Sequence, residues 1–149
     1  MNITRVNITE KIIAGICINT NNKKAKDSIS KLWNEFFSNN IVSKIEHKKS
    51  DSFIYGLYSD YESDMNGNYT VTAGVEINRK DMKKYNTVLI KKGKYILFEQ
   101  EGQMPDIIVD TWIKIWAYFE EHKDIKRKYI SDFELYEGDK GIKIYIGVK

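Results

Sequence analysis

The chain has 149 residues, of which 42% are hydrophobic, 13% are aromatic and 30% are charged, with 24 Lys and Arg against 21 Asp and Glu. This length predicts a single domain over residues 1–149, and the apolar content excludes an intrinsically disordered chain. No apolar run approaches the ~20 residues that cross a bilayer, and the segment Met1–Glu10 lacks the apolar core of a signal peptide. We therefore expect a cytoplasmic protein with no membrane partner.

Charged and metal-binding residue types are dispersed along the chain. Lysines occur in scattered pairs near predicted turns, which is not the clustering of a nucleic-acid surface, so we expect no direct binding of nucleic acid. A lone cysteine, Cys17, lies in an apolar strand pattern and is expected to be a buried small residue. His47 and His122 are far apart in polar segments, so we expect no metal, and no glycine-rich phosphate loop predicts a cofactor.

The first half of the chain predicts the order strand, helix, strand, strand. Residues 10–20 are largely β-branched, which is typical of a buried strand. A helix is expected next, with its N-cap at Asp27 or Ser28 and its end near Asn39. Its apolar stripe comprises Ile29, Leu32, Trp33, Phe36 and Phe37. After a polar connection over residues 41–52, the strands Phe53–Tyr61 and Tyr69–Ile77 flank a loop whose Asn66-Gly67 pair indicates a hairpin.

The second half predicts the same order of elements. An extended region over Asn86–Ile90 and Tyr95–Gln100 precedes a helix that begins near Pro105. The apolar stripe of that helix comprises Ile108, Trp112, Ile115, Trp116 and Phe119, and Tyr129–Tyr136 and Gly141–Val148 are the last two strands. We therefore predict an α+β fold built from a tandem pseudo-symmetric β-α-β-β repeat, with halves of approximately residues 5–80 and 81–149. Its antiparallel sheet would carry two helices on one face and a ligand cleft on the other.

Strand alternation predicts which side chains line that cleft. If the apolar positions of each strand face the helices, as we assign Val75, Ile144 and Phe133, their neighbours face the opposite side. The side chains assigned to the cleft are Glu76, Glu134, Tyr136 and Tyr145, joined by Ile54 and Tyr58. Trp112 and Trp116 lie on the helix stripe and are expected mainly in the core, with a ligand contact as the alternative.

A carboxylate among aromatic rings predicts a site for a cation. Burying Glu76 or Glu134 costs several kcal/mol unless a positive charge pairs with it. Each aromatic face adds about 0.5–2 kcal/mol toward a cation. The alternative is that both glutamates face solvent on a half-exposed sheet, where tyrosines are common for packing reasons alone.

Several runs resemble the GyrI-like effector-binding superfamily, which includes the effector-binding domain of AraC-type bacterial transcription activators. These runs are Tyr55–Asp64, Tyr69–Ile77, Lys92–Tyr95, Trp112–Trp116 and Asp132–Tyr136, and the resemblance extends over roughly residues 5–149. The most similar members are the stand-alone, integron-cassette-associated proteins that bind cationic drugs. The resemblance implies a cleft between the two halves, with Glu134 as its central acid, Tyr145 at a family aromatic position and Glu76 at a matching glutamate.

The function expected from these features is multidrug-sensor-type binding of cationic or amphipathic aromatic small molecules, linked to transcription regulation. The ligand-binding candidates are Glu134, Tyr145, Glu76, Tyr58, Tyr136, Trp116, Trp112 and Ile54. The alternative is a GyrI-like hydrolase of reactive cyclopropanoid compounds, in which Glu134 and Tyr145 would act as catalytic residues. Many relatives fuse this module to a DNA-binding domain, so the partners considered are a second copy of the chain or a separate regulator. A third hypothesis is a module that docks another protein on its sheet.

Overall fold

The computed structural model describes residues 1–49, 53–78 and 84–149. The strands are β1 (Asn2–Ile8), β2 (Lys11–Thr20), β3 (Ile54–Ser59), β4 (Tyr69–Ile77), β5 (Asn86–Ile90), β6 (Gly93–Glu101), β7 (Arg127–Tyr136) and β8 (Gly141–Val148), and the helices are α1 (Ala25–Ser38), α2 (Ile41–Lys44) and α3 (Asp106–Glu121). None of these helices, within the described ranges, is long and apolar enough to cross a membrane.

One antiparallel sheet contains all eight strands in the order β1-β6-β8-β7-β3-β4-β2-β5. The order has a pseudo-two-fold centre between β7 and β3, which relates β6-α3-β7-β8 to β2-α1-β3-β4. Each edge strand crosses to the other half, because β1 pairs with β6 and β5 pairs with β2. The predicted α+β class with a repeated antiparallel unit is confirmed, and each unit has an additional leading strand.

The bounds of some predicted elements agree with the structure, and those of others do not. The predicted bounds of β4, β5 and β8 agree with the structure. The cap assignment for α1 is wrong, because the helix begins at Ala25 and Lys24 is its N-cap residue, with no side-chain capping bond. The connection predicted as polar contains α2, whose Ile41 is buried, while residues 50–52 lie outside the described residues. The strand β1 was not predicted, because most of its residues are exposed at an edge of the sheet.

The hairpin between β3 and β4 forms, but its turn differs from the predicted one. The backbone N–H groups of Asn66 and Gly67 donate to the side chain and carbonyl of Asp64, at 2.9 and 3.3 Å. The positive φ in this connection belongs to Asp60, at 49°, while Asn66 and Gly67 do not have positive φ. The longer loop lets a side-chain bond replace the left-handed residues of a two-residue turn.

Two apolar clusters hold the helices against one face of the sheet. Leu32 and Phe36 of α1 pack on the alternate β4 positions Val71, Ala73, Val75 and Ile77. Ile107 and Ile115 of α3 pack on Ile142, Ile144, Ile146 and Val148 of β8. These positions were predicted to face the helices, and that prediction is confirmed.

The opposite face of the sheet has an apolar cluster of its own. This cluster contains Ile13, Tyr55, Leu57, Ile90, Tyr95, Phe133 and Leu135, with Val6, Ile8, Val88 and Tyr145 at its margin. Phe133 and Leu135 therefore point away from the helices, and the face assigned to them from the sequence is wrong. The physical reason is that both faces are apolar, so alternation alone cannot tell which set meets a helix. As a consequence, Glu134 and Tyr136 lie on the helix-bearing face, and Ile54 and Tyr58 pack there as well.

Candidate functional site

Glu134 lies near the C-terminal end of β7, directly beside the pseudo-two-fold centre, and is only 3% exposed. Its Oε2 accepts hydrogen bonds from the Trp112 indole N–H at 2.7 Å and from the Tyr58 hydroxyl at 3.0 Å. Its Oε1 accepts one from the Tyr136 hydroxyl at 2.6 Å. A buried carboxylate is thus held by three neutral donors from β3, β7 and α3.

The electrostatics of the site follow from burial. Loss of hydration raises the pKa of Glu134, and the hydrogen bonds from Tyr136, Trp112 and Tyr58 oppose that rise. Burial and the neighbouring carboxylate raise the pKa of the Tyr58 and Tyr136 hydroxyls well above their ordinary value. Both hydroxyls therefore stay protonated and act as donors when Glu134 is ionised.

The rings around Glu134 are arranged as two related pairs. Trp112 from α3 meets Tyr58 of the first half edge-on, with ring centroids 5.4 Å apart. Trp33 from α1 meets Tyr136 of the second half in the same way, at 5.6 Å. Because each tryptophan contacts the tyrosine of the other half, the carboxylate lies between two aromatic walls, one beneath each helix.

A second layer of rings lies outside these walls. Phe37 stacks on Trp33 with an interplanar angle of 23° and is 59% exposed. Trp116 packs on Trp112 at 6.2 Å between centroids and is 48% exposed. Large exposed aromatic rings next to a buried charge are characteristic of a binding surface rather than of core packing.

Three residues of this site, Trp33, Phe37 and Gly56, were missed from the sequence, and Phe37 had been assigned only to the apolar stripe of the first helix. Trp33 was assigned only to the helix stripe, although its ring contacts Tyr136. Gly56 is the direct cross-strand partner of Glu134, and a Cβ at that position would lie 2.6 Å from the Glu134 Oε1. A glycine inside a strand pattern indicates close approach by another group, and that signal was available in the sequence.

The remaining predicted site residues divide between the two faces. Tyr58, Tyr136 and Trp112 contact Glu134, Trp116 lies behind Trp112, and Ile54 packs on the same face. The expectation that Glu76 and Tyr145 share a face with Glu134 is wrong. Tyr145 stacks on Phe133 at 4.4 Å on the opposite side of the sheet, so the pairing of Glu134 with Tyr145 required by the hydrolase alternative does not form.

Glu76 has a different environment from Glu134. Its carboxylate pairs with Lys49 at 3.0 Å and with Lys11 at 3.9 Å, and it accepts a bond from the Tyr55 hydroxyl at 3.4 Å. Two ammonium groups thus compensate its charge from within the chain.

Another buried carboxylate, Asp132, lies two residues before Glu134. It is fully buried and accepts hydrogen bonds from Arg127 at 2.8 Å, from the Tyr61 hydroxyl at 2.5 Å and from the Gly147 backbone N–H at 2.8 Å. The guanidinium of Arg127 also lies over the Tyr129 ring, 4.4 Å from its centroid. This carboxylate carries its own counter-ion, so it does not call for a cationic ligand.

A surface concavity of about 890 Å³ lies elsewhere, between the start of α3 and the β7–β8 turn. Several of its charged side chains pair with one another, as Lys143 does with Glu137 at 2.7 Å and Lys114 does with Asp110 at 3.2 Å. This concavity offers volume, but the chemistry of a buried carboxylate bonded to Tyr58, Trp112 and Tyr136 favours the surroundings of Glu134.

The sequence matches the family described as integron-associated effector binding protein over residues 6–148. The chain belongs to this family. An integron cassette protein from the mobile metagenome of Vibrio cholerae is 29% identical, with a TM-score of 0.85 over 99% of this chain and 95% of that chain. YobU of Bacillus subtilis, named as a candidate transcriptional regulator, is 26% identical over 81% of this chain and 79% of its own length.

A more distant structure has the same fold with a bound molecule. SAV2435, solved bound to tetraphenylphosphonium, is 20% identical, with a TM-score of 0.83 over 100% of this chain and 94% of that chain. The expected membership of an effector-binding family with integron-cassette relatives is confirmed.

Proposed function

We propose that this effector-binding protein binds a bulky aromatic cation, with the positive charge beside Glu134 and the aromatic groups between the rings of α1 and α3. The observation that supports this most strongly is a buried carboxylate whose hydrogen-bond donors, among the described residues, are all neutral. Over residues 1–49, 53–78 and 84–149, no Lys, Arg or His forms an ion pair with Glu134.

The energetic case compares Glu134 with Asp132, which lies on the same strand. Each buried carboxylate loses hydration worth several kcal/mol. Arg127 compensates Asp132 within the chain, whereas the partners of Glu134 in the described part of the chain are the hydrogen-bond donors Tyr58, Trp112 and Tyr136. A cation entering the site would supply the missing charge, and the surrounding rings would add about 0.5–2 kcal/mol each.

The exposed rings define the shape of the ligand. Phe37 and Trp116 offer apolar surface on both sides of the charge, so a flat or multi-armed aromatic cation would cover more of it than a small ammonium ion. The tetraphenylphosphonium bound to SAV2435 has this combination of a central charge and aromatic arms, which supports the proposal. The naming of YobU supports a link to transcription, which we propose runs through a second copy or a separate regulator that senses the bound state.

The test is the pH dependence of tetraphenylphosphonium binding, measured by isothermal titration calorimetry. Because burial raises the pKa of Glu134 and only the ionised form attracts a cation, affinity should be constant above that pKa. At pH values below the pKa of Glu134, the affinity should fall about tenfold per pH unit. Uncharged triphenylphosphine oxide is the control, and its weaker binding should not follow the same titration. Equal affinity for both compounds, or a pH-independent affinity for the cation, would refute the proposal.

A further inference from the structure

We infer that Gly56 is a positioning residue that holds the Glu134 carboxylate at the pseudo-two-fold centre of the site. The effect on ligand affinity rests on the proposed function, whereas the effect on the carboxylate itself does not. Gly56 and Glu134 face each other across β3 and β7 as direct register partners.

The pseudo-symmetry explains why these two positions differ. The segment Tyr55–Tyr58 of β3 corresponds to Phe133–Tyr136 of β7, so Gly56 occupies the position equivalent to Glu134. Tyr58 and Tyr136 are equivalent in the same way, and both donate to the one carboxylate. A second carboxylate at position 56 would place two like charges in one buried site, which is strongly unfavourable. The tyrosine is therefore present in both halves of the site, whereas the carboxylate is present in only one of these two equivalent positions.

The Glu134 carboxylate occupies the space that a side chain at position 56 would need. A Cβ at position 56 would lie 2.6 Å from the Glu134 Oε1 and 3.2 Å from the nearest Trp33 ring atom. The first distance is shorter than van der Waals contact, and the group that would have to move is the end of a flexible side chain. Oε1 is also the atom that accepts from the Tyr136 hydroxyl at 2.6 Å. An alanine would therefore displace the carboxylate from Tyr136 toward one wall of the site.

The experiment is a double-mutant cycle between Gly56→Ala and Glu134→Gln, with tetraphenylphosphonium as the probe. In the wild-type background we expect Gly56→Ala to weaken binding about tenfold, as loss of one charge-assisted hydrogen bond and a displaced charge imply. In the Glu134→Gln background the same change should alter the remaining affinity less than about twofold, because there is no charge to displace. Equal losses in both backgrounds, or none in either, would overturn the inference. Gly138→Ala is the matched control, since a Cβ there meets nothing within 4 Å.

Two readouts do not depend on the ligand. The indole N–H resonance of Trp112, assigned with Trp112→Phe, should move in Gly56→Ala because its acceptor oxygen moves. An unchanged resonance would contradict the inference even if ligand binding were lost. If the wild-type protein does not bind the cation but this resonance moves, the proposed function fails and the positioning role stands. If Gly56→Ala does not fold, the same change is made together with Glu134→Ala, which removes the carboxylate that the new Cβ would meet. We expect this double variant to fold as well as Glu134→Ala alone. Equal destabilisation by Gly56→Ala in the wild-type and the Glu134→Ala backgrounds would overturn the inference.

Discussion

Replacing Glu134 with Gln is expected to weaken tetraphenylphosphonium binding by about 100-fold at neutral pH. At an effective dielectric constant of about 20, two charges about 6 Å apart interact by about 2.8 kcal/mol, which corresponds to that loss. The fold should be retained, because the amide oxygen can accept from Trp112 and Tyr58 in place of Oε2. The amide nitrogen can donate to the Tyr136 hydroxyl in place of Oε1.

Calorimetric titration and thermal unfolding of the same samples provide the measurement. Glu76→Gln is the matched control, because it removes a carboxylate from the opposite face of the sheet, where Tyr55 donates to it. We expect this control to bind the cation as the wild-type protein does. Loss of binding in Glu76→Gln with retention in Glu134→Gln would place the site on the wrong face and contradict the proposal.

The second large effect concerns stability rather than binding. Replacing Arg127 with Met should lower the free energy of unfolding by about 3–5 kcal/mol, because it leaves Asp132 buried without its counter-ion. The side chains of Arg127 and Asp132 are 8% and 0% exposed, so water cannot replace the guanidinium. The change also removes the contact of the guanidinium with the Tyr129 ring.

Urea unfolding measures this effect. Arg127→Met combined with Asp132→Asn is the control, because an asparagine can still accept from the Gly147 N–H and can donate to the Tyr61 hydroxyl. We expect the double variant to recover much of the lost stability, which would show that the cost comes from the uncompensated charge. A loss below about 1 kcal/mol in Arg127→Met would indicate that this ion pair behaves like an exposed one.

The order of most elements was predictable because each apolar stripe has one clear period, whereas β1 and α2 were not predicted. The alternation in β4 sets its bounds, and the helical spacing from Ile108 to Phe119 identifies α3. Glu134 could be chosen as a candidate from a carboxylate inside a strand with tyrosines at alternating positions, together with a resemblance to a known family. These signals are local in the sequence, so no tertiary information is needed to detect them.

The face of the sheet was not predictable in the same way. The alternation of Phe133 and Glu134 shows that they lie on opposite faces of the sheet, but it does not show which of the two faces the helices. If the protein had a single apolar core, Phe133 would point toward the helices. The structure has an additional apolar cluster around Tyr55, Ile90 and Tyr95, which buries Phe133 on the side without helices. That cluster depends on the edge strands β1 and β5, which pair with the opposite half, and pairing over such separations leaves no local pattern.

The most direct measurement of the central claim is the position of the phosphorus atom in a crystal structure of this protein with tetraphenylphosphonium. We predict that the atom lies within about 6 Å of the Glu134 carboxylate, at the range where the charge interaction is worth a few kcal/mol. Its phenyl groups should contact rings of both α1 and α3. A phosphonium bound on the opposite face beside Tyr145, or in the large concavity at the start of α3, would contradict the claim.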